Sequence, residues 1–125
     1  MENNLVYVIK MGDTDYYKIG LTKDINKRIA QLQTGNPLTL TVVTTFNFNN
    51  VYNSTTVSRG IEHEFHKQFE YCKCIGEWFK FSYGEVEKII KLSQQKIANT
   101  EDWFDIFCSI KEIAQETIKQ VLANW

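Results

Sequence analysis

The chain has 125 residues, 43% of them hydrophobic and 23% charged, a balance that fits one compact domain and excludes a disordered chain. A formal net charge of −1 excludes a protein that grips nucleic acid over its whole surface, so an anionic ligand must meet a local basic cluster. Residues 1–91 carry 11 Lys/Arg against 10 Asp/Glu and residues 92–125 carry 3 against 5, which places such a cluster in the first three-quarters of the chain.

No apolar run reaches membrane-spanning length, and the start MENNLVYV lacks the basic residues and apolar stretch of a signal peptide. Three cysteines, an odd number without an export signal, predict reduced thiols, with Cys108 in the core. The expectation is a cytoplasmic, non-secreted protein.

In chain order, LVYVIK (5–10) is β-branched, aromatic and continuous, as a buried strand is. MGDTD supplies the Gly and Asp of a hairpin loop, and YYKIG (16–20) returns as a second strand. Thr22 or Asp24 can cap a helix running to about Thr34, with Ile25, Ile29 and Leu32 on one face. The successive turn formers Gly35, Asn36 and Pro37 end it. LTLTVVTTFNF (38–48) predicts a third, central strand. NNVYNSTT is polar and predicts a loop. A second helix follows from about Val57 to Phe69, with Ile61, Phe65 and Phe69 at a spacing of four. EWFKF (77–81) alternates and predicts a short strand, with Trp78 and Phe79 on opposite faces. Two amphipathic helices close the chain, over about 84–97 and 101–124. The apolar stripe of the last comprises Trp103, Phe107, Ile110, Ala114, Ile118 and Val121. The predicted architecture is α+β: one small, mainly antiparallel sheet flanked by helices, in the order β-β-α-β-α-β-α-α.

Several of these positions suit phosphodiester chemistry. Cutting such a bond needs a water, a group to take its proton, a cation beside the developing phosphorane and a metal. Tyr7 and Lys18 lie across one hairpin with ten residues between them, Arg28 is on the next helix, and Glu62 and His66 share a helix face at i, i+4. With LVY in the place of GIY and KIG (18–20) in the place of YIG, this pattern resembles the GIY-YIG nuclease superfamily. The fuller pattern resembles one branch in particular, a phage and large-DNA-virus open-reading-frame domain in which KIG replaces YIG. That branch closes the first helix with LQTGNP, marks the second with E-x-x-x-H-x-x-F (Glu62, His66, Phe69) and continues with GEWF (76–79). The chain departs from the wider superfamily in keeping only Tyr7 of GIY, in Lys18, and in showing GEWF where some members keep an asparagine.

The resemblance covers roughly residues 4–82. It implies a nuclease core over 1–82, with 83–125 a C-terminal helical extension packed on the same domain. It further implies a metal-dependent DNA endonuclease working through one ion: Glu62 as ligand of Mg²⁺ or Mn²⁺, Tyr7 and Lys18 at the attacking water, Arg28 beside the phosphorane, and His66 as a partner of the metal site or of the phosphate. DNA is the implied partner, without a membrane, for a monomer or a homodimer.

Competing readings stand beside this one. Tyr7 and Tyr17 can be ordinary strand aromatics, and Lys27, Arg28, Glu62 and Glu64 solvated charges. His63, His66, Cys72 and Cys74 can form a zinc site, although C-x-C is a poorer chelate than the usual spacing. The chain can be an inactive nucleic-acid-binding module of the same fold, or an interaction domain whose last helix docks a partner or a second copy.

Overall fold

The computed structural model describes residues 4–97 and 100–124. Its sheet is built from β1 (Leu5–Met11), β2 (Tyr16–Thr22), β3 (Leu40–Asn47) and β4 (Trp78–Lys80), and the helices are α1 (Ile25–Gln33), α2 (Ser54–Gln68), α3 (Glu85–Ser93) and α4 (Thr100–Ala123). A short 3₁₀ turn over Glu70–Cys72 joins α2 to the chain leading into β4. The fold is α+β with a four-stranded antiparallel sheet in the order β3-β1-β2-β4, and the elements follow the expected sequence.

One expectation about the sheet is corrected. β3 is an edge strand, not a central one, and β1 and β2 occupy the middle. The β-branched run 38–48 suits a pleated surface at any position, and Thr41 and Val42 are exposed, as one open side allows. The continuous apolar run of β1 is explained by helices covering both faces of the sheet. Val6 and Val8 face the main core with Ile19, Phe46, Phe65 and Phe79, while Tyr7 and Ile9 lie beneath α1 with Leu40, Ile25, Ile29 and Leu32.

Helix boundaries follow local chemistry. Asp24 caps α1 by accepting from the Lys27 amide at 3.1 Å, and Thr22 Oγ1 accepts from the Asp24 amide, so the two candidate caps act in series. α2 starts at Ser54, three residues before the expected start, after Asn53 in a left-handed turn at φ 57° that carries no polar cap to signal it. Glu64 is buried on α2, with Gln68 donating to its carboxylate, and is not the solvated charge its composition suggested.

α4 packs against α2 and α3. Its most buried positions are Ile106, Ile110, Ile113, Ala114 and Thr117, while Trp103, Phe107, Ile118 and Val121 are only half-buried. The expected stripe is thus rotated by part of a turn. Cys108 is exposed, not in the core, for the same reason, and all three cysteines are free. Burying three isoleucines on α4 is worth on the order of 5 kcal/mol, comparable to the whole stability of a small domain. Truncation after Lys96 is therefore expected to leave an unstable, aggregating protein. A well-folded shortened chain, judged by a cooperative melt and light scattering, would show that α4 is dispensable for the core.

Candidate active site

The site lies on the α1 side of the sheet, where β4 ends. β4 pairs with β2 only over Tyr16–Lys18, so the backbone of Ile19 and Gly20 lies beyond its last rung. Three elements converge there: the β1–β2 hairpin, α1, and the edge contributed by α2 and the turn before β4.

Register places Tyr7 directly opposite Gly20 and Lys18 opposite Ile9, so these side chains share one face. Tyr7 is fully buried, and its hydroxyl accepts from Arg28 Nε on α1 at 3.3 Å. A Cβ at Gly20 would lie 2.4 Å from the Tyr7 hydroxyl and 2.9 Å from a Glu77 carboxylate oxygen. Both groups therefore occupy the space that glycine leaves, which joins the two halves of the site. Lys18 is 9% exposed; its ammonium lies 3.9 Å from Glu77 and 5.6 Å from the centre of the Trp78 ring. Glu62, His66 and Glu77 bring one potential ligand atom each to within 4.8 Å of one another.

His66 is held by Ile19. Its Nε2 lies 2.9 Å from the Ile19 carbonyl oxygen, and its ring meets the buried Phe79 edge-on. A carbonyl only accepts, so Nε2 carries the proton and a neutral ring keeps its lone pair on Nδ1.

Burial shapes the electrostatics. It raises the Tyr7 phenol above its ordinary value, against the opposing hydrogen bond and charge of Arg28, and the carboxylates of Glu77 and Glu62 raise it further. It lowers the Lys18 ammonium, offset by Glu77, with Arg28 pushing the same way as burial. It raises the Glu62 carboxyl; His66 opposes this and Glu77 adds to it. A hollow of about 230 Å³ beside Arg28 is lined also by Lys23, Lys27, Gln31 and the carboxylate of Asp24, a local excess of positive charge. A hollow of about 400 Å³ between Tyr71, Lys80 and Val121 includes none of these residues.

All five expected residues, Tyr7, Lys18, Arg28, Glu62 and His66, thus belong to one connected constellation. The zinc grouping of His63, His66, Cys72 and Cys74 is not brought together among the described residues; Cys74 is exposed and His66 turns to Ile19. Sequence reasoning missed Glu77, because GEWF reads as packing. The signal was its glycine: Gly76 at φ 66° makes the tight turn that sets Glu77 opposite Ile19.

The fold is thus a small α+β domain with a polar cluster beside its sheet, three members of which could hold a metal ion. The chain belongs to the T5orf172 domain family, whose model matches residues 4–94. This is a phage-associated domain of the GIY-YIG/HNH-like endonuclease type, and the match takes in α3 as well as the sheet. No curated protein and no solved structure matches the chain. Among the described residues, no helix is long and apolar enough to cross a membrane.

Proposed function

We propose that the protein is a DNA endonuclease that hydrolyses phosphodiester bonds with one divalent cation, Mg²⁺ or Mn²⁺, held through Glu62. The KIG and GEWF segments mark the branch in this reading, residues 1–82 form the nuclease core, and residues 83–125 are a helical extension packed on it. The observation that carries it is the meeting of the Tyr7–Arg28 pair, Lys18 and the Glu62–His66–Glu77 group at one sheet edge.

The donor set fits the ion, since carboxylate oxygens suit hard divalent cations. Bound there, the cation would supply Lewis-acid neutralisation of phosphate oxygens. The rest falls to the protein's own side chains. Tyr7, whose phenol burial keeps protonated, orients the attacking water. Lys18, whose ammonium burial disfavours, takes the proton as the new P–O bond forms and the bond to the leaving oxygen breaks. Arg28, steadied by Tyr7, faces the charge that builds on the phosphorane. Lys23 and Lys27 hold the flanking backbone.

Incubation of the purified protein with supercoiled, linear and branched DNA, with and without Mg²⁺ or Mn²⁺, tests this. Nicking that needs the metal is the expected result. Binding without cutting would favour a nucleic-acid-binding module of the same fold, a reading that Lys18 and the reduced GIY triplet support. Arg28→Ala is expected to lower the single-turnover cleavage rate more than DNA affinity, because its charge is needed chiefly in the transition state. A fall in affinity with an unchanged rate would make Arg28 a binding residue only.

A further inference from the structure

Glu77 is the one carboxylate of the site that does not come from α2. Its turn is well defined: the Cys74 amide donates to the Trp78 carbonyl at 2.7 Å, the Trp78 amide to Ile75 at 3.4 Å, and the Ile19 amide to the Glu77 carbonyl at 3.4 Å. These bonds tie the turn to β2 and set the Glu77 side chain over Gly20, the position where a Cβ would meet its oxygen. Lys18 is its partner among the described cations, at 3.9 Å, which is the outer limit of an ion pair. Glu62 and Glu77 also repel each other across a half-buried gap, a juxtaposition that a divalent cation between them would relieve.

The third member of the group is already orientated. The hydrogen bond of a metal-ligating imidazole to a carbonyl through its other nitrogen fixes the tautomer and the ring. His66 makes that bond to Ile19, leaving Nδ1 as the nitrogen with a lone pair. Resting on the reading of Glu62 as a ligand, we infer that Glu77 and His66 join it as direct ligands of the same divalent cation, with Glu77 shared between the ion and Lys18. The site is then a two-carboxylate, one-imidazole set contributed by α2 and the turn before β4. An imidazole nitrogen suits transition metals and is a poor ligand for Mg²⁺, so this set prefers Mn²⁺.

The test is Mn²⁺ binding by the full chain, with free Mn²⁺ followed by electron paramagnetic resonance. Glu77→Gln is expected to weaken Mn²⁺ at least tenfold, as Glu62→Gln does, and Lys18→Met to leave the affinity unchanged or raise it, because it frees Glu77. Mg²⁺ should displace Mn²⁺ only in large excess. Pulsed measurements on the loaded wild type should show nitrogen coupling from one imidazole, lost in His66→Gln. A metal-free melt confirms folding of each variant, and Glu77→Asp, which keeps the charge but shortens the reach, should fall between Gln and wild type. Wild-type Mn²⁺ affinity in Glu77→Gln overturns the inference, as does a wild type that binds no Mn²⁺. The two readings fail separately: Mn²⁺ held through Glu77 without DNA cleavage keeps this site and removes the nuclease. Cleavage that needs Glu62, with Mn²⁺ affinity untouched by Glu77→Gln, does the reverse.

Discussion

Glu62→Gln is expected to lower metal-dependent DNA cleavage at least a hundredfold, equivalent to about 2.7 kcal/mol of transition-state stabilisation, while the protein stays folded. The change keeps the shape of the side chain and removes the charge that holds the ion. Its effect on stability has a definite sign. Burial, with Glu77 adding to it, raises the Glu62 carboxyl above its ordinary value. An acid whose folded pKa lies above its unfolded value favours the folded state below the unfolded pKa, and that contribution is lost as the pH rises through the folded pKa. At neutral pH and without metal, glutamine relieves this penalty, so the variant should melt at or slightly above the wild-type temperature. Addition of Mn²⁺ should raise the wild-type melting temperature and leave that of the variant nearly unchanged. A folded Glu62→Gln protein that cuts at the wild-type rate would remove Glu62 from the metal site.

Gly20→Ala is expected to damage both stability and activity without replacing a charged group. The added methyl would lie 2.4 Å from the Tyr7 hydroxyl and 2.7 Å from the ring carbon that carries it. Glu77, also in the way, can swing its carboxylate aside. Tyr7 cannot, because its ring is fully buried between the sheet and α1. Overpacking of this kind costs about 1–3 kcal/mol and moves the tyrosine away from Arg28. A thermal melt and a single-turnover cleavage assay read the two effects. Tyr7→Phe in the same chain removes the nearer clash but not the one with the ring, so the double variant should recover part of the stability and none of the activity. A Gly20→Ala protein that melts and cuts as wild type does would mean that Tyr7 does not lie against Gly20.

The chemistry of the hairpin and first helix was legible because it is local. Tyr7, Lys18 and Gly20 are related by strand pairing across a short loop, and the register that sets Tyr7 against Gly20 follows once that hairpin forms. Arg28 lies in the first turn of a helix whose apolar face was readable from Ile25, Ile29 and Leu32. Glu62 and His66 share a face by helix periodicity alone. Period-2 and period-3.6 patterns carry this much, since each constrains residues a few positions apart.

The sequence by itself therefore determined the α+β class, the order of the elements and the five polar residues that the fold brings together with Glu77. Tertiary structure decided the rest. It put β3 at the sheet edge, because strand order depends on which partners a hairpin recruits and not on β-branched content. The buried stripe of α4 is rotated onto Ile106, Ile113 and Thr117, because the crossing against α2 and α3 selects among neighbouring apolar rows. His66 reaches the Ile19 carbonyl because β4 stops one rung earlier and leaves that group for α2 to satisfy. Glu77 joins Glu62 across fourteen residues of intervening chain by the same cause. The turn at Gly76 is local, but the neighbour it delivers Glu77 to is set by the packing of α2 against the sheet, which no short-range pattern encodes.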